Sequence, residues 1–74
     1  MQIRIKLMGA LKDLSPDGNT LELPDGATIE DALLELNIAA KVHAVSLNGT
    51  FERDRSKPLS PDDELTVLPP VSGG

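Results

Sequence analysis

The sequence closes on Gly73-Gly74, preceded by Pro69-Pro70-Val71-Ser72. A final glycine leaves a main-chain carboxylate with no side chain beside it, and a second glycine keeps the approach narrow. Without a Cβ, such an end can thread a slot that rejects every other residue. A carboxylate presented this way is a group that a separate enzyme can activate. The plain alternative is a frayed end, since termini are commonly unordered. The remaining chemistry-bearing residues offer less. His43 is the single histidine and cysteine is absent, which removes thiolate metal sites and thiol nucleophiles. A surface or strand-edge histidine is the simpler reading of His43. Asp62-Asp63-Glu64 offers donors for a divalent cation, but a solvated turn is more usual. As a third reading, the cluster sits beside the tail and steers encounter with Arg or Lys on a partner. Asp17-Gly18-Asn19 lacks the spaced ligands and closing Glu of a calcium loop. No Gly-x-x-x-x-Gly-Lys phosphate loop occurs, and no metal site is expected.

These residues need elements to position them. Residues 2–8 alternate, with Ile3, Ile5 and Leu7 on one side, and predict a half-buried strand. Gly9 breaks it, and Leu11 and Leu14 are expected to tuck a loop or helical turn onto the core. Ser15-Pro16-Asp17-Gly18-Asn19 carries turn chemistry, and Thr20-Leu21-Glu22-Leu23 alternates again. After Pro24-Asp25-Gly26, Thr28 with Glu30 and Asp31 reads as a helix start resembling a capping box. Ile29, Ala32, Leu33 and Leu36 then lie at helical spacing on one face, Leu34 falls off it, and Asn37 is a plausible stop. A third strand is centred on residues 44–47. Asn48-Gly49 predicts a two-residue hairpin turn into a short strand at Thr50-Phe51-Glu52. A charged loop and the turn Ser60-Pro61-Asp62-Asp63 lead to the last strand, residues 64–68, with Leu65 and Val67 inward. The order β-β-α-β-β-β, with first and last long strands parallel at the sheet centre and the helix across one face, is a β-grasp, an order that other α+β packings share.

The tail begins where the last strand stops. Pro69 and Pro70 cannot continue a sheet ladder, and two prolines favour an extended polyproline II segment. At about 3.1 Å per residue, Pro69 to Gly74 would reach on the order of 18 Å. A stiff stalk with a slender, loose tip is the expectation.

Composition narrows the function classes. Seventy-four residues make one domain, and a chain of this size buries only about 60% of its unfolded surface. Phe51 is the only aromatic residue, so a nucleic-acid reader built on base stacking is not supported. A net charge of −5 argues against binding phosphate backbones or anionic membranes, which need clustered Lys and Arg. It suits docking onto a basic partner surface. The apolar runs are too short to span a bilayer, no secretory signal is read, and a cytoplasmic location is expected.

The run from Asp62 to Gly74 resembles the MoaD/ThiS family of ubiquitin-like sulfur carriers. The shared pattern is an acidic turn, an apolar strand, then Pro-Pro-Val, a small hydroxyl residue and Gly-Gly. Val45-Ser46-Leu47-Asn48-Gly49 matches a family strand ending in Asn-Gly, and Met1 to Leu14 is similar in pattern. The Pro-Pro pair favours the MoaD branch, the small subunit of molybdopterin synthase, over ThiS. The chain departs in carrying Leu7 and Leu68 where MoaD proteins often carry Phe, and it is short for MoaD. The resemblance implies an α+β, ubiquitin-like β-grasp at residues 1–68, with a mixed four- to five-stranded sheet, one helix and a flexible tail at residues 69–74. It implies that an ATP-using adenylyltransferase of the ubiquitin-activating type adenylates the Gly74 carboxylate. A persulfide donor then converts it to a thiocarboxylate for molybdopterin synthesis. On this reading Pro69, Pro70, Val71, Ser72 and Gly73 carry Gly74 into the enzyme. The chain has no catalytic residues and binds no cofactor of its own. A large synthase subunit or a thiazole synthase is the expected receiver. Met8 and Leu68, on the outward parity of their strands, are candidate partner contacts. Phe51 and Leu59 either join them or fill a small secondary cluster. Asp62, Asp63 and Glu64 are candidate charged contacts. A ThiS-like carrier for thiazole or another sulfur metabolite, a protein modifier joined through Gly74 to a lysine, and a passive interaction domain remain open alternatives.

Overall fold

A computed structural model describes residues 1–70. Among the described residues there are five strands and one α-helix: β1 (Gln2–Leu7), β2 (Thr20–Glu22), α1 (Ile29–Glu35), β3 (Ala44–Leu47), β4 (Thr50–Glu52) and β5 (Glu64–Leu68). The sheet order is β2-β1-β5-β3-β4. β1 and β5 run parallel, with Ile5 opposite Leu65 and Leu7 opposite Val67, and every other pairing is antiparallel. The β-grasp topology is therefore realised, with β4 a full, if short, fifth strand. Alternation explains the buried face. Ile3, Ile5 and Leu7 of β1, Val45 of β3, and Leu65 and Val67 of β5 all point to the helix side and are buried, as period two requires.

The helix follows its predicted stripe. Ile29, Ala32 and Leu33 are fully buried, Leu36 is half-buried, and Leu34 faces solvent. Its start is the expected capping box: the Asp31 amide donates to Thr28 Oγ1 at 3.2 Å, and the Thr28 amide donates to Asp31 Oδ2 at 2.9 Å. Its end is Asn37 at φ +62°, a left-handed conformation that asparagine tolerates. The hairpin from β3 to β4 turns through Asn48 at φ +52° and Gly49 at φ +87°, the two positive angles a type I′ turn needs.

Two expectations change, and one core residue comes from outside the expected set. Leu14 stands 45% exposed, because its 3₁₀ segment, Gly9–Leu14, buries only Leu11. Leu59 is buried in the main core with Ala27, Ile29 and Leu33. Its amide donates to the Ala27 carbonyl at 2.8 Å, which draws the side chain under the helix and removes it from any partner surface. Ile38, singled out by no pattern, is completely buried. It follows the left-handed Asn37, whose turn points the chain back inward while the Ile38 amide donates to the Leu33 carbonyl at 3.0 Å. Among the described residues, no helix is long and apolar enough to cross a membrane.

Candidate functional site

The place to look for chemistry is the point where β5 releases the tail, since β5 sits between β1 and β3. Both neighbours grip its last residues. The Met8 amide donates to the Val67 carbonyl at 3.0 Å, and the His43 amide donates to the Leu68 carbonyl at 2.9 Å. The next residue, Pro69, lies against Gly9. A Cβ at Gly9 would stand 3.1 Å from Pro69 Cγ, and Gly9 itself adopts φ +56°. Only glycine meets both conditions without strain. The base of the tail is thus held by two main-chain hydrogen bonds and a ring packed over a bare Cα. Val71, Ser72, Gly73 and Gly74 lie outside the described residues, and so does the tip expected of them.

The sheet face away from the helix carries the expected outward residues. Leu68 is opposite Ala44, while Phe51 is opposite Ser46, which is in turn opposite Thr66. Met8 continues the outward parity of β1. Met8 and Leu68 are half-buried, and Phe51 is 71% exposed. Directly opposed side chains on one sheet face are near neighbours and an aromatic ring also reaches its diagonal one, so Phe51, diagonal to Ala44, continues Ala44, Leu68 and Met8 as an apolar band that ends at the tail base. Beside it, Val42, His43, Phe51, Arg53 and Arg55 border an open groove of about 500 Å³. Arg55 is tied down: its guanidinium donates to the carbonyls of Ala39 (3.1 Å) and Val42 (3.3 Å) and faces Glu30 at 3.6 Å. His43 serves the site through its amide, and its side chain is exposed.

The acidic turn is not beside the tail. Asp62, Asp63 and Glu64 stand at the opposite end of β5, on the order of 15 Å from Pro69 at about 3.3 Å per strand residue. Asp63 is engaged internally. Its Oδ1 accepts from Asn48 Nδ2 at 2.9 Å, and its Oδ2 accepts from the Ser60 amide at 2.8 Å. Glu64 faces Arg4 at 3.9 Å. The Glu64 amide donates to Asn48 Oδ1 at 2.8 Å, and the Asn48 amide donates to the Glu64 carbonyl at 2.8 Å. The cluster therefore braces the hairpin turn against the start of β5. Among the described residues, no three His, Asp or Glu side chains converge as metal donors. The Asp54 carboxyl is held below its ordinary range, chiefly by the Ser56 hydroxyl and then by the Ser56 amide that donates at 2.9 Å.

Sequence reading missed the Gly9–Pro69 contact and the Asn48 side-chain bridge. For the first, a glycine directly after a strand was the available signal. For the second, the same Asn-Gly that marks the turn hid a further role for the asparagine amide.

Comparisons with known proteins agree with this geometry. The ThiS family model matches residues 5–74. The molybdopterin synthase sulfur carrier subunit of Chlamydomonas reinhardtii is 31% identical over an 83-residue alignment covering all of both chains. The structure of SAMP1, a small archaeal modifier protein of Haloferax volcanii, superposes with a TM-score of 0.76 at 25% identity, again over the whole of both chains. Subunit 1 or 2 in the protein–protein complex of the Helicobacter pylori molybdopterin-converting factor superposes at 0.62, with 24% identity over both chains entire, which speaks for the fold alone. With a β-grasp body, a clamped exit for β5 and a family match that runs through Gly74, the chain belongs to the ThiS family, within the MoaD/ThiS group of ubiquitin-like sulfur carriers.

Proposed function

We propose that the Gly74 carboxylate is the sulfur-bearing group and that the chain supplies sulfur for molybdopterin synthesis. The observation that carries this reading is the end-to-end match to a molybdopterin synthase sulfur carrier subunit, with no part of either chain left over. The clamped tail base supports it, because a carboxylate delivered to another protein's active site must leave the body in a fixed direction.

A carboxylate is a poor acyl donor, since oxide is a bad leaving group. Attack of the Gly74 carboxylate on the α-phosphorus of ATP expels pyrophosphate and leaves an acyl-adenylate. The terminal sulfur of a persulfide then displaces AMP, and a thiol reductant cleaves the resulting acyl disulfide to free the thiocarboxylate. ATP, persulfide and reductant all belong to partner proteins. What this chain contributes is position: the Met8 and His43 amides and Gly9 set where Pro69 points, and the band of Met8, Phe51 and Leu68 gives an apolar surface for docking. Apolar patches of this kind on small domains mark partner surfaces. On this reading the receiving partner is a large synthase subunit, because the relative matched end to end is itself a subunit of molybdopterin synthase.

The test is mass spectrometry of the purified chain after incubation with its activating enzyme, ATP and a persulfide donor. Exchange of one oxygen for one sulfur adds about 16 Da, mapped to the Gly74-containing peptide. A chain that gains no mass there, under conditions where its enzyme adenylates, refutes the proposal. The similarity to SAMP1 favours a second reading, in which the same activated Gly74 forms an isopeptide bond to a lysine of a target protein. Conjugates that survive denaturant and carry, on a target lysine, the branched peptide that ends in Val71-Ser72-Gly73-Gly74 would establish it.

A further inference from the structure

Although the chain carries an excess of five negative charges, three of its seven Lys and Arg side chains line a single groove. Arg4, Lys6, Lys12, Ser15 and Thr20 border an open depression of about 640 Å³, and Glu64 is its one acidic wall. Arg4 is engaged with Glu64 at 3.9 Å and donates to the Asp62 carbonyl at 3.3 Å. Lys6 and Lys12 are exposed and enter no ion pair among the described residues. Both stand close to the tail base. Lys6 lies opposite Thr66, three residues before Pro69, and Lys12 lies three residues after Gly9, which Pro69 touches.

We propose that this groove receives an acidic segment of the protein that handles the tail, with its carboxylates meeting Lys6 and Lys12. That the partner is the one handling the tail rests on the sulfur-carrier reading; the acidic chemistry of the occupant does not. Charge complementarity selects the occupant. Lys6 and Lys12 are unopposed within the groove, whereas the chain as a whole repels polyanions. Charges beyond about 8 Å are screened at physiological salt, so a short acidic segment seated in the groove feels the two lysines. An extended nucleic acid or an anionic membrane also meets the acidic surface around them. Exposed charge pairs of this kind act mainly on the rate of encounter and its salt dependence.

The experiment follows amide shifts of the isotope-labelled chain titrated with three probes in parallel: a hexaglutamate peptide, inorganic phosphate, and vesicles containing phosphatidylserine. The expected result is that the peptide shifts the amides of Lys6, Lys12, Ser15 and Thr20, and that added salt weakens the effect. The double variant Lys6→Glu/Lys12→Glu abolishes it, while Lys41→Glu/Lys57→Glu, with the same change in net charge elsewhere, retains it. Equal loss in both variants, or stronger shifts of the same amides by phosphate or vesicles, overturns the proposal. In a second arm, Lys6→Glu/Lys12→Glu raises the KM for sulfur loading on the order of tenfold at low salt with kcat little changed, and added salt narrows the gap. Loading with an unaltered KM overturns the groove and leaves the sulfur-carrier reading intact. Conversely, a chain that never gains sulfur yet still binds the acidic peptide refutes that reading and leaves the groove standing.

Discussion

Replacing Gly9 by alanine should separate the stability of the body from the aim of its tail. Gly9 has φ +56°, and its missing Cβ would meet Pro69 Cγ at 3.1 Å. The left-handed backbone costs an L residue about 1–2 kcal/mol. For a domain of this size that lowers Tm by about 5–15 °C. The contact is short by a few tenths of an ångström, so the Pro69 ring must move by that much. Pro69 and Pro70 are stiff, so that displacement alters the direction in which the chain leaves the body rather than being absorbed locally. A misplacement of about 1 Å at a reacting group can cost about 100-fold in rate. Gly9→Ala should therefore melt lower yet remain folded at 20–25 °C, and its adenylation, read by pyrophosphate exchange, should slow by about 10–100-fold. Pro69→Ala removes the ring that the new methyl strikes. In that background Gly9→Ala should retain its loss of Tm while its further effect on adenylation nearly vanishes. Equal fold losses in both backgrounds, or full-rate adenylation by a destabilised Gly9→Ala, would refute the claim that this contact aims the tail.

Three other outcomes are expected. Leu59→Ala should lower stability by about 2–5 kcal/mol, whereas Phe51→Ala should leave denaturant midpoints nearly unchanged and weaken binding to the partner subunit; calorimetry of both tests the assignment of one to the core and the other to the surface. Asn48→Asp should cost about 1–3 kcal/mol, because it removes the donor to Asp63 and sets two carboxylates face to face; its penalty should shrink when the pH is lowered enough to protonate one of them, as urea melts would show. Ser56→Ala should move the Asp54 carboxyl part of the way back toward its ordinary range, because the hydroxyl is lost while the amide at position 56 still donates. The folded-state value is depressed, so the contribution of this carboxylate to stability is present above the ordinary carboxylate pKa and is lost as pH falls through the lowered value. Carbon-detected titration of Asp54 in both proteins measures the change directly.

Local pattern made most of this fold legible. Strict alternation at Ile3, Ile5 and Leu7 and at Leu65 and Val67 assigned the buried face, Thr28 with Asp31 marked the helix start, and Asn48-Gly49 marked the hairpin. Each signal is written within a few residues. What escaped was set by contacts distant in sequence. Leu59 looks like a loop residue until its amide meets Ala27 under the helix, and Leu14 looks like a core residue until Leu11 takes the only inward position of its 3₁₀ segment. The acidic turn is adjacent to the tail in sequence, but an extended strand holds them at opposite ends. Of the site, the outward parity of Met8 and Leu68 could be read directly. The Pro69 clamp could not, because nothing near Gly9 in sequence announces a proline sixty residues away.

The central pairing of β1 with β5 has a consequence for biosynthesis. Arg4 and Glu64 are partners sixty positions apart, and closing such a span is slow compared with forming the helix. During vectorial synthesis the middle of the sheet stays unfilled until β5 emerges from the ribosome. Met8 and His43 have no carbonyls to hold before then. A newborn chain thus presents an assembled tail base only once its body is complete.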